Sequence, residues 1–365
     1  MTVVWIYFCV LAVYLLKILL FYTGSRRASR PSVNSQRPSV NVILAARNEE
    51  DNIDACLDSL AALHYSGPME IIIVDDQSTD ATPAIINKWK ERAPRLRFIR
   101  TEGVIHNLRG KANAIAQALE CSDGEIILTT DADCVVQPNW VERTVEQYVA
   151  GTGCVCGFTL IKTDSQFSGM QALDWAYLLT VASAGVGWNN PLSAVGNNMS
   201  YRRAAYEEVG GYQGVGFSVT EDFALLKAIA YKTDWKVRYA VEPSTLVWSK
   251  PCANLKELYR QKKRWGRGGL DSPFAGFAVM SVGFIMNVVI LLLPFLGLPL
   301  WAWLCGVLGK FIGDLFLLSW PLGRFGQMKW LKYFILFELY YVIYVTLLPF
   351  VVLLGGKVVW KGRKH

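Results

Sequence analysis

Apolar sequence long enough to cross a bilayer stands at both ends of this chain, and it fixes the architecture before any motif is read. Residues 3–22 hold one charge, Lys17, and suffice for a single transmembrane helix. Lys17 lies near the end of the stretch, where its stem lets the ammonium reach the headgroups. The first residues lack a basic n-region and no small-x-small cleavage site follows. The segment therefore reads as an uncleaved anchor and not as a secretory signal. Three more candidate spans lie at 274–296, 298–320 and 333–354. Apolar residues make up 52% of the chain against 18% charged, and that excess sits at the ends, while the middle reads as a soluble α/β protein.

Charge sets the expected orientation. Residues 23–39 form a linker carrying Arg26, Arg27, Arg30 and Arg37, and positive charge beside a span marks its cytosolic side. The N-terminus is expected outside and the middle of the chain in the cytosol, at a plasma or inner membrane. A net charge of +7 suits a basic surface facing membrane lipids, and no basic-aromatic motif of an RNA binder occurs, so nucleic acid is not an expected partner. The tail raises a conflict. Residues 324–332 and 357–365 are both basic, and three tail spans would leave the second group outside, against the same rule. Either the rule is broken or one tail segment is re-entrant or interfacial.

Between the ends, strands are expected at 40–46, 70–74, 96–100 and 125–130, alternating with helices that end near 63, 92 and 119. Such alternation implies a mainly parallel sheet with helices on both faces, whose ligands gather at the carboxyl ends of the strands. Beyond residue 151 the expectation is a strand at 154–162, an apolar helix at 171–186, a strand at 194–202 and a helix at 220–231. Residues 255–266 form a basic amphipathic helix expected on the membrane surface. Cys154 and Cys156 lack zinc-knuckle spacing and are read as reduced thiols on opposite faces of a strand.

Four acidic or basic motifs carry the chemistry. Asp75 and Asp76 end a strand, where they either build a turn or offer a carboxylate to a nucleobase or ribose. Asp131 and Asp133 form D-x-D after an apolar strand, a pair able to converge on one hard cation such as Mg²⁺ or Mn²⁺. Asp131 to Val135 also matches the haloacid-dehalogenase phosphatase pattern, with Asp131 as nucleophile, although that family places its motif on the first strand. Thr220-Glu221-Asp222 opens a helix, either as a cap with favourable acids or as a functional acid cluster. Gln261, Arg264 and Trp265 share one helical face, which suits a diphosphate and a sugar ring.

In this order, Asp-Asp, Asp-x-Asp, Thr-Glu-Asp and Gln-x-x-Arg-Trp resemble the signature of family 2 inverting glycosyltransferases, in the membrane branch of polysaccharide synthases and ceramide glucosyltransferase-like enzymes. Arg47-Asn48-Glu49-Glu50, Gly110-Lys111-Ala112 and Gly196-Asn197-Asn198-Met199-Ser200 agree with it, whereas Ala45 stands where many relatives have Pro. The resemblance implies a GT-A-type α/β domain over 40–253, preceded by the anchor 1–22 and linker 23–39. After it come an interface helix over 254–270, a membrane region over 271–356 and a basic tail over 357–365. It also implies roles. Asp76 would bind the nucleobase beside Ala45 and Glu49, and Lys111 and Asp131 would hold the nucleotide. Asp133 would ligate the metal with Asp131, and Asp222 would be the general base. Gln261 and Arg264 would hold the diphosphate, and Trp265 would floor the acceptor site. The implied donor is a UDP-sugar and the implied acceptor a lipid or growing polysaccharide. A phosphohydrolase and a non-catalytic nucleotide-sugar-binding membrane protein are the alternatives. Within the tail, Lys310 and Asp314 fall one turn apart, either as a buried ion pair or as the lining of an acceptor path.

Overall fold

A computed structural model describes residues 1–30, 34–216 and 218–354, together with the backbone of the pair Val359–Trp360 and Arg363–Lys364. The basic side chains expected in the tail over 357–365 lie outside the described residues. The anchor forms α1 (Thr2–Ala28), which runs six residues into the expected linker. Arg26 and Arg27 therefore ride on its last turn, where the helix dipole favours cations.

The first half of the middle region alternates as expected: β1 (Val40–Ala46), α2 (Ile53–Ala61), β2 (Met69–Asp75), α3 (Thr82–Arg92), β3 (Leu96–Arg100), α4 (Lys111–Glu120) and β4 (Ile126–Asp131). Next come β5 (Cys134–Val135), α5 (Trp140–Val145), β6 (Thr152–Gly157), β7 (Thr159–Ile161), α6 (Gln166–Gly187) and β8 (Met199–Arg202). The short helices α7 (Arg203–Glu208) and α8 (Gly211–Val215) precede α9 (Glu221–Lys232), β9 (Lys236–Ala240) and β10 (Val247–Ser249). The main sheet has the order β3-β2-β1-β4-β8-β6-β9, parallel except where β8 runs against both neighbours. Its strands are buried on both faces, so side chains of period 2 divide between two cores. Ile43, Ile72, Val74 and Ile127 join the core under α4 and α6, while Val42, Leu44, Ile71, Ile73 and Leu128 join the one under α2, α3 and α5.

Two expected strands came out shorter. Residues 154–162 split at Phe158, because β6 belongs to the main sheet whereas β7 pairs with β10 in a three-stranded sheet. Gly157 makes the switch possible, since a Cβ there would lie 2.5 Å from the Asn198 amide. Residues 194–202 become a 3-10 turn, Gly196–Asn198, before β8. Cys154 and Cys156 are two residues apart on one strand and so share a face, contrary to the expectation of opposite faces. Both are free and buried in the same core.

The helix α10 (Leu255–Gly269) leads to α11 (Phe274–Leu292), α12 (Leu300–Arg324) and α13 (Phe334–Leu354). Among the described residues, four helices are long and apolar enough to cross a membrane: α1, α11 with the turn after it, α12, and α13 with the turn before it. α1 packs on α6 through small residues: Ser183 Oγ donates to Ser25 Oγ at 2.7 Å, and Trp188 Nε1 to the Leu20 carbonyl at 2.8 Å. Arg324, at the end of α12, donates to the Val241 carbonyl at 3.0 Å and so ties that helix to the sheet region. Both ends of α13 also meet the central region. Tyr333, just before it, packs on Gly169 of α6, and Leu348 and Val352 near its end pack on Gly266 of α10.

Among these helices the expected ion pair is a larger network. Lys310 Nζ contacts Asp314 Oδ2 at 2.6 Å and Glu338 Oε2 at 2.5 Å. Asp314 Oδ1 accepts from Tyr14 at 2.6 Å and from Tyr177 at 3.2 Å. Lys310, Asp314 and Glu338 are 0% exposed.

Candidate active site

Parallel pairing sets the carboxyl ends of β1, β2 and β4 side by side, with Ala45 in register with both Val74 and Asp131, and Ala46 with Asp75. Asp75 serves the turn: its carboxylate accepts the Ser78 N–H at 2.9 Å and faces Arg100 at 3.4 Å. Asp76 is held by its own backbone. Its N–H donates to Ala46 at 2.8 Å, and its carbonyl accepts from Arg47 at 2.6 Å. It lines a cavity of about 290 Å³ with Gln77, Val104, Leu108, Arg109 and Asn113. Glu49, past the end of β1, donates its N–H to Thr82 and accepts from Asn52 through its side chain, each at 2.8 Å.

Lys111 joins the motifs that the sequence keeps apart. Its ammonium sits 2.5 Å from Asp131 Oδ1 and 4.0 Å from Glu221 Oε1. Burial alone pulls its pKa down, but the charges of Asp131, Glu221 and Asp222 and the hydrogen bond to Asp131 outweigh that and hold it above the ordinary lysine value. The Glu221 carboxyl is raised, first by burial and then by the Asp222 charge, while Lys111 and Arg264 pull it back. Asp222 Oδ2 accepts the Gly196 N–H at 2.5 Å and Oδ1 accepts the Phe223 N–H at 2.8 Å. Thr220 makes no side-chain cap bond, so the capping reading of this motif is not found at that residue.

Gly196 was singled out in the sequence only as part of a supporting run, and its place against Asp222 and Lys111 was not foreseen. A Cβ there would stand 3.0 Å from Asp222 and 3.1 Å from the Lys111 ammonium, so a larger residue would crowd both side chains and require them to shift. Its carbonyl accepts from Thr129 at 2.8 Å, and Asn198 is held by the Phe158 and Thr245 carbonyls and by Trp140. The turn is thus fixed from three sides. The only sequence signal was the Gly-Asn-Asn run itself.

Asp133 follows β4, 3.5 Å from Ser249 Oγ and 3.4 Å from Cys134 Sγ. Burial, and after it the charges of Asp133 and Asp131, push the Cys56 and Cys134 thiols well above their ordinary value. Both carboxylates therefore act on one small region. Among the described residues no group of three or more His, Cys, Asp or Glu side chains forms a metal cage. Two hard carboxylate donors nonetheless fit a Mg²⁺-type ion, which keeps waters and takes its other ligands from substrate phosphates.

Helix α10 brings the last motif alongside. A Cβ at Gly268 would collide with the Thr220 side chain, so the end of α10 lies against the residue before Glu221. Arg264 is close enough to act on the Glu221 carboxyl, and Gln261 Oε1 is buried with no hydrogen-bond partner. Trp265 stacks edge-on against Trp175 at 5.1 Å, under the Lys262 ammonium. Lys262 is not the headgroup-facing lysine expected of a surface helix: it is buried, in an ion pair with Asp174 of α6.

The fold is a mixed α/β GT-A-like domain joined to helices long and apolar enough to cross a membrane. Residues 126–356, more than half the chain, match the model for glycosyl transferase family group 2, and residues 41–210 match that for glycosyl transferase family 2; the chain belongs to this family. It is 30% identical over 242 residues to a beta-monoglucosyldiacylglycerol synthase of a Synechocystis strain, covering 64% of this chain and 48% of that one. It is 28% identical over 264 residues to a poly-beta-1,6-N-acetyl-D-glucosamine synthase of Staphylococcus aureus, covering 69% of this chain and 60% of that one. The match thus spans about half to three fifths of these relatives. A mannosyltransferase from Pyrobaculum calidifontis, solved in complex with GDP-Man and Mn²⁺, aligns over 96% of this chain and 99% of its own with a TM-score of 0.57. At 18% identity that likeness is one of fold.

Proposed function

We propose that this protein transfers a sugar from a nucleotide-sugar donor, a UDP-sugar, to a lipid or growing polysaccharide with inversion at the anomeric carbon. The observation that carries this reading is the meeting of Asp131, Glu221 and Asp222 around Lys111, with Arg264 of α10 beside them. Asp76 and the cavity it lines suit the nucleobase, and the family resemblance adds Ala45 and Glu49 to the same role. Asp131 and Asp133 would hold a divalent cation, which when bound supplies positive charge to a donor diphosphate. Lys111, Gln261 and Arg264 offer further positive charge and amide donors to the same diphosphate. Asp222, aimed by its two backbone hydrogen bonds, keeps lone pairs to accept the acceptor hydroxyl's proton as that oxygen attacks C1 from the face opposite the leaving group. A diphosphate leaves without protonation, so the second carboxylic acid of a glycosidase is not required. Trp265 offers an apolar face for the acceptor sugar.

The same reading puts residues 40–270 in the cytosol, where sugar nucleotides are made. The contacts at both ends of α13 support a segment that returns to the side it left, which would also bring the basic tail inside. A cysteine introduced at Leu354 should then resist membrane-impermeant labelling of intact cells, and efficient labelling would reverse that placement. The enzymatic reading is tested with purified protein in bilayer discs, by release of nucleoside diphosphate from a panel of UDP- and GDP-sugars with and without lipid extract. Release that depends on Mg²⁺ or Mn²⁺ and is abolished by Asp133→Ala supports it. Release that survives both chelation and Asp133→Ala would sink the metal assignment, and no release from any donor would sink the transferase.

A further inference from the structure

We infer that Asp174 is a positioning residue that sets the seat of α10 through a buried ion pair with Lys262. The inference rests on the reading of Gln261 and Arg264 as diphosphate ligands. Asp174 lies mid-way along α6, and its carboxylate is only 5% exposed; the Lys262 side chain is 6% exposed. A basic helix on a membrane surface has no reason to turn a lysine inward, since burying both charges is costly unless their geometry is fixed. Here it is fixed from several directions. The ammonium lies 4.5 Å from the Trp265 ring and 5.0 Å from the Tyr344 ring of α13, and Trp265 is braced by Trp175, the neighbour of Asp174.

Lys262 sits between Gln261 and Arg264 in sequence, so its anchorage determines the rotation of α10 about its own axis. A rotation of one residue's worth would carry Arg264 away from Glu221 and turn Gln261 with it. Anchors at the far end, Gly268 on Thr220 and Gly266 on Leu348 and Val352, fix only how closely α10 approaches, because they are contacts of small residues with no directional bond. Direction therefore comes from the ion pair. The pair also joins the membrane helix α13 to the diphosphate side of the site, since Tyr344 completes the lysine's surroundings.

The test uses the full chain in bilayer discs and the double variant Asp174→Leu/Lys262→Met. Replacing a buried pair by apolar side chains of similar size is often neutral or stabilising, so the variant should unfold at or above the native temperature. Binding of the tighter of UDP and GDP, with Mn²⁺, is compared with that of its monophosphate. The diphosphate's advantage should fall by about tenfold or more, because misplacing a ligand by an ångström costs up to a hundredfold. Monophosphate binding should stay as it was. An unchanged advantage overturns the inference, and so does a variant that unfolds, since the pair would then be a stability element alone. Arg264→Ala separates the two readings. If it leaves the diphosphate advantage intact, the reading of α10 as a diphosphate clamp fails; if it abolishes the advantage while the double variant keeps it, only the role of Asp174 fails.

Discussion

Two lysines in this protein each hold carboxylates from distant parts of the chain, and they do opposite things. Lys111 stands at the carboxyl end of the sheet, 24% exposed, with Asp131 in contact and Glu221 at 4.0 Å. Lys310 stands among apolar helices, 0% exposed, with Asp314 and Glu338 in contact and two tyrosines closing the far side of Asp314. The first cluster has partners at unequal distances and side chains that stay partly open to solvent. In the second, the Lys310 ammonium and both Asp314 oxygens are already engaged, and none of the three charged side chains reaches the surface. A charge cluster becomes a site when its partners can be exchanged, and a fastening when they cannot.

The largest effect should come from breaking the fastening. Lys310→Met leaves Glu338 without its cation and Asp314 with Lys17 as the remaining cation acting on it, and removing one partner of a buried pair costs about 3–5 kcal/mol. Thermal unfolding in bilayer discs should show this as a large drop in stability. Adding Asp314→Asn and Glu338→Gln should recover most of it, because neither position then carries an unpaired carboxylate. A small drop for the single variant would erase the contrast with Lys111.

The site should answer in rate and not in stability. Asp222→Asn keeps an oxygen to accept the Gly196 or Phe223 N–H but removes the base, and losing a general base costs about a hundredfold or more. Unfolding temperature and nucleotide affinity on the same preparation should stay near native. Near-normal transfer would show that Asp222 only shapes the turn.

A smaller effect separates the two clusters by pH. Lys111 is held above its ordinary value of 10.5 by the surrounding carboxylates, which outweigh burial. A group raised on folding stabilises fully below its unfolded pKa, and that contribution is lost only as pH climbs through the higher folded value. Between about pH 9 and 10.5, then, Lys111 should react with an amine-acylating reagent more slowly than surface lysines such as Lys88. Asp131→Asn should remove much of the lag. Equal rates in the native protein would count against the short contact to Asp131.

How far this was legible in the sequence depends on the range of the interaction that decides each element. Alternating apolar residues with Gly, Pro and Asp breaks were enough for β1 and β3, whose bounds match the expectation at both ends, and for the end of α3. The resemblance to family 2 named Asp131, Asp222 and Arg264, and the fold brings Asp131 and Asp222 to act on Lys111 and Arg264 to act on Glu221. What stayed hidden was set by contacts distant in sequence. Phe158 reads as mid-strand until β10 claims the residues after it. Gly196 looks like part of a strand until Asp222, 26 positions on, takes its N–H. Lys262 looks solvated until Asp174, on another helix, is seen opposite. No local pattern encodes those partners.

The smallest predicted effect concerns the element that touches both clusters' neighbourhoods, α10. Its start is a reciprocal cap: Asn254 Oδ1 accepts the Glu257 N–H at 3.0 Å, and Glu257 Oε2 accepts the Ala253 N–H at 3.0 Å. Both residues are exposed, so the cap contributes little beyond its own hydrogen bonds, and Asn254→Ala should cost about 1 kcal/mol. Asn254→Asp should cost almost nothing, because aspartate accepts the same N–H and suits the helix dipole. The more telling readout is nucleotide affinity. Gln261 and Arg264 lie two turns or more further along, and the buried pair and the glycine contacts seat that part of the helix independently of its first turn. Stability should therefore fall slightly in Asn254→Ala while diphosphate affinity stays within about twofold of native. A loss of affinity as large as that of the Asp174→Leu/Lys262→Met variant would mean that the cap, and not the buried ion pair, sets the position of α10.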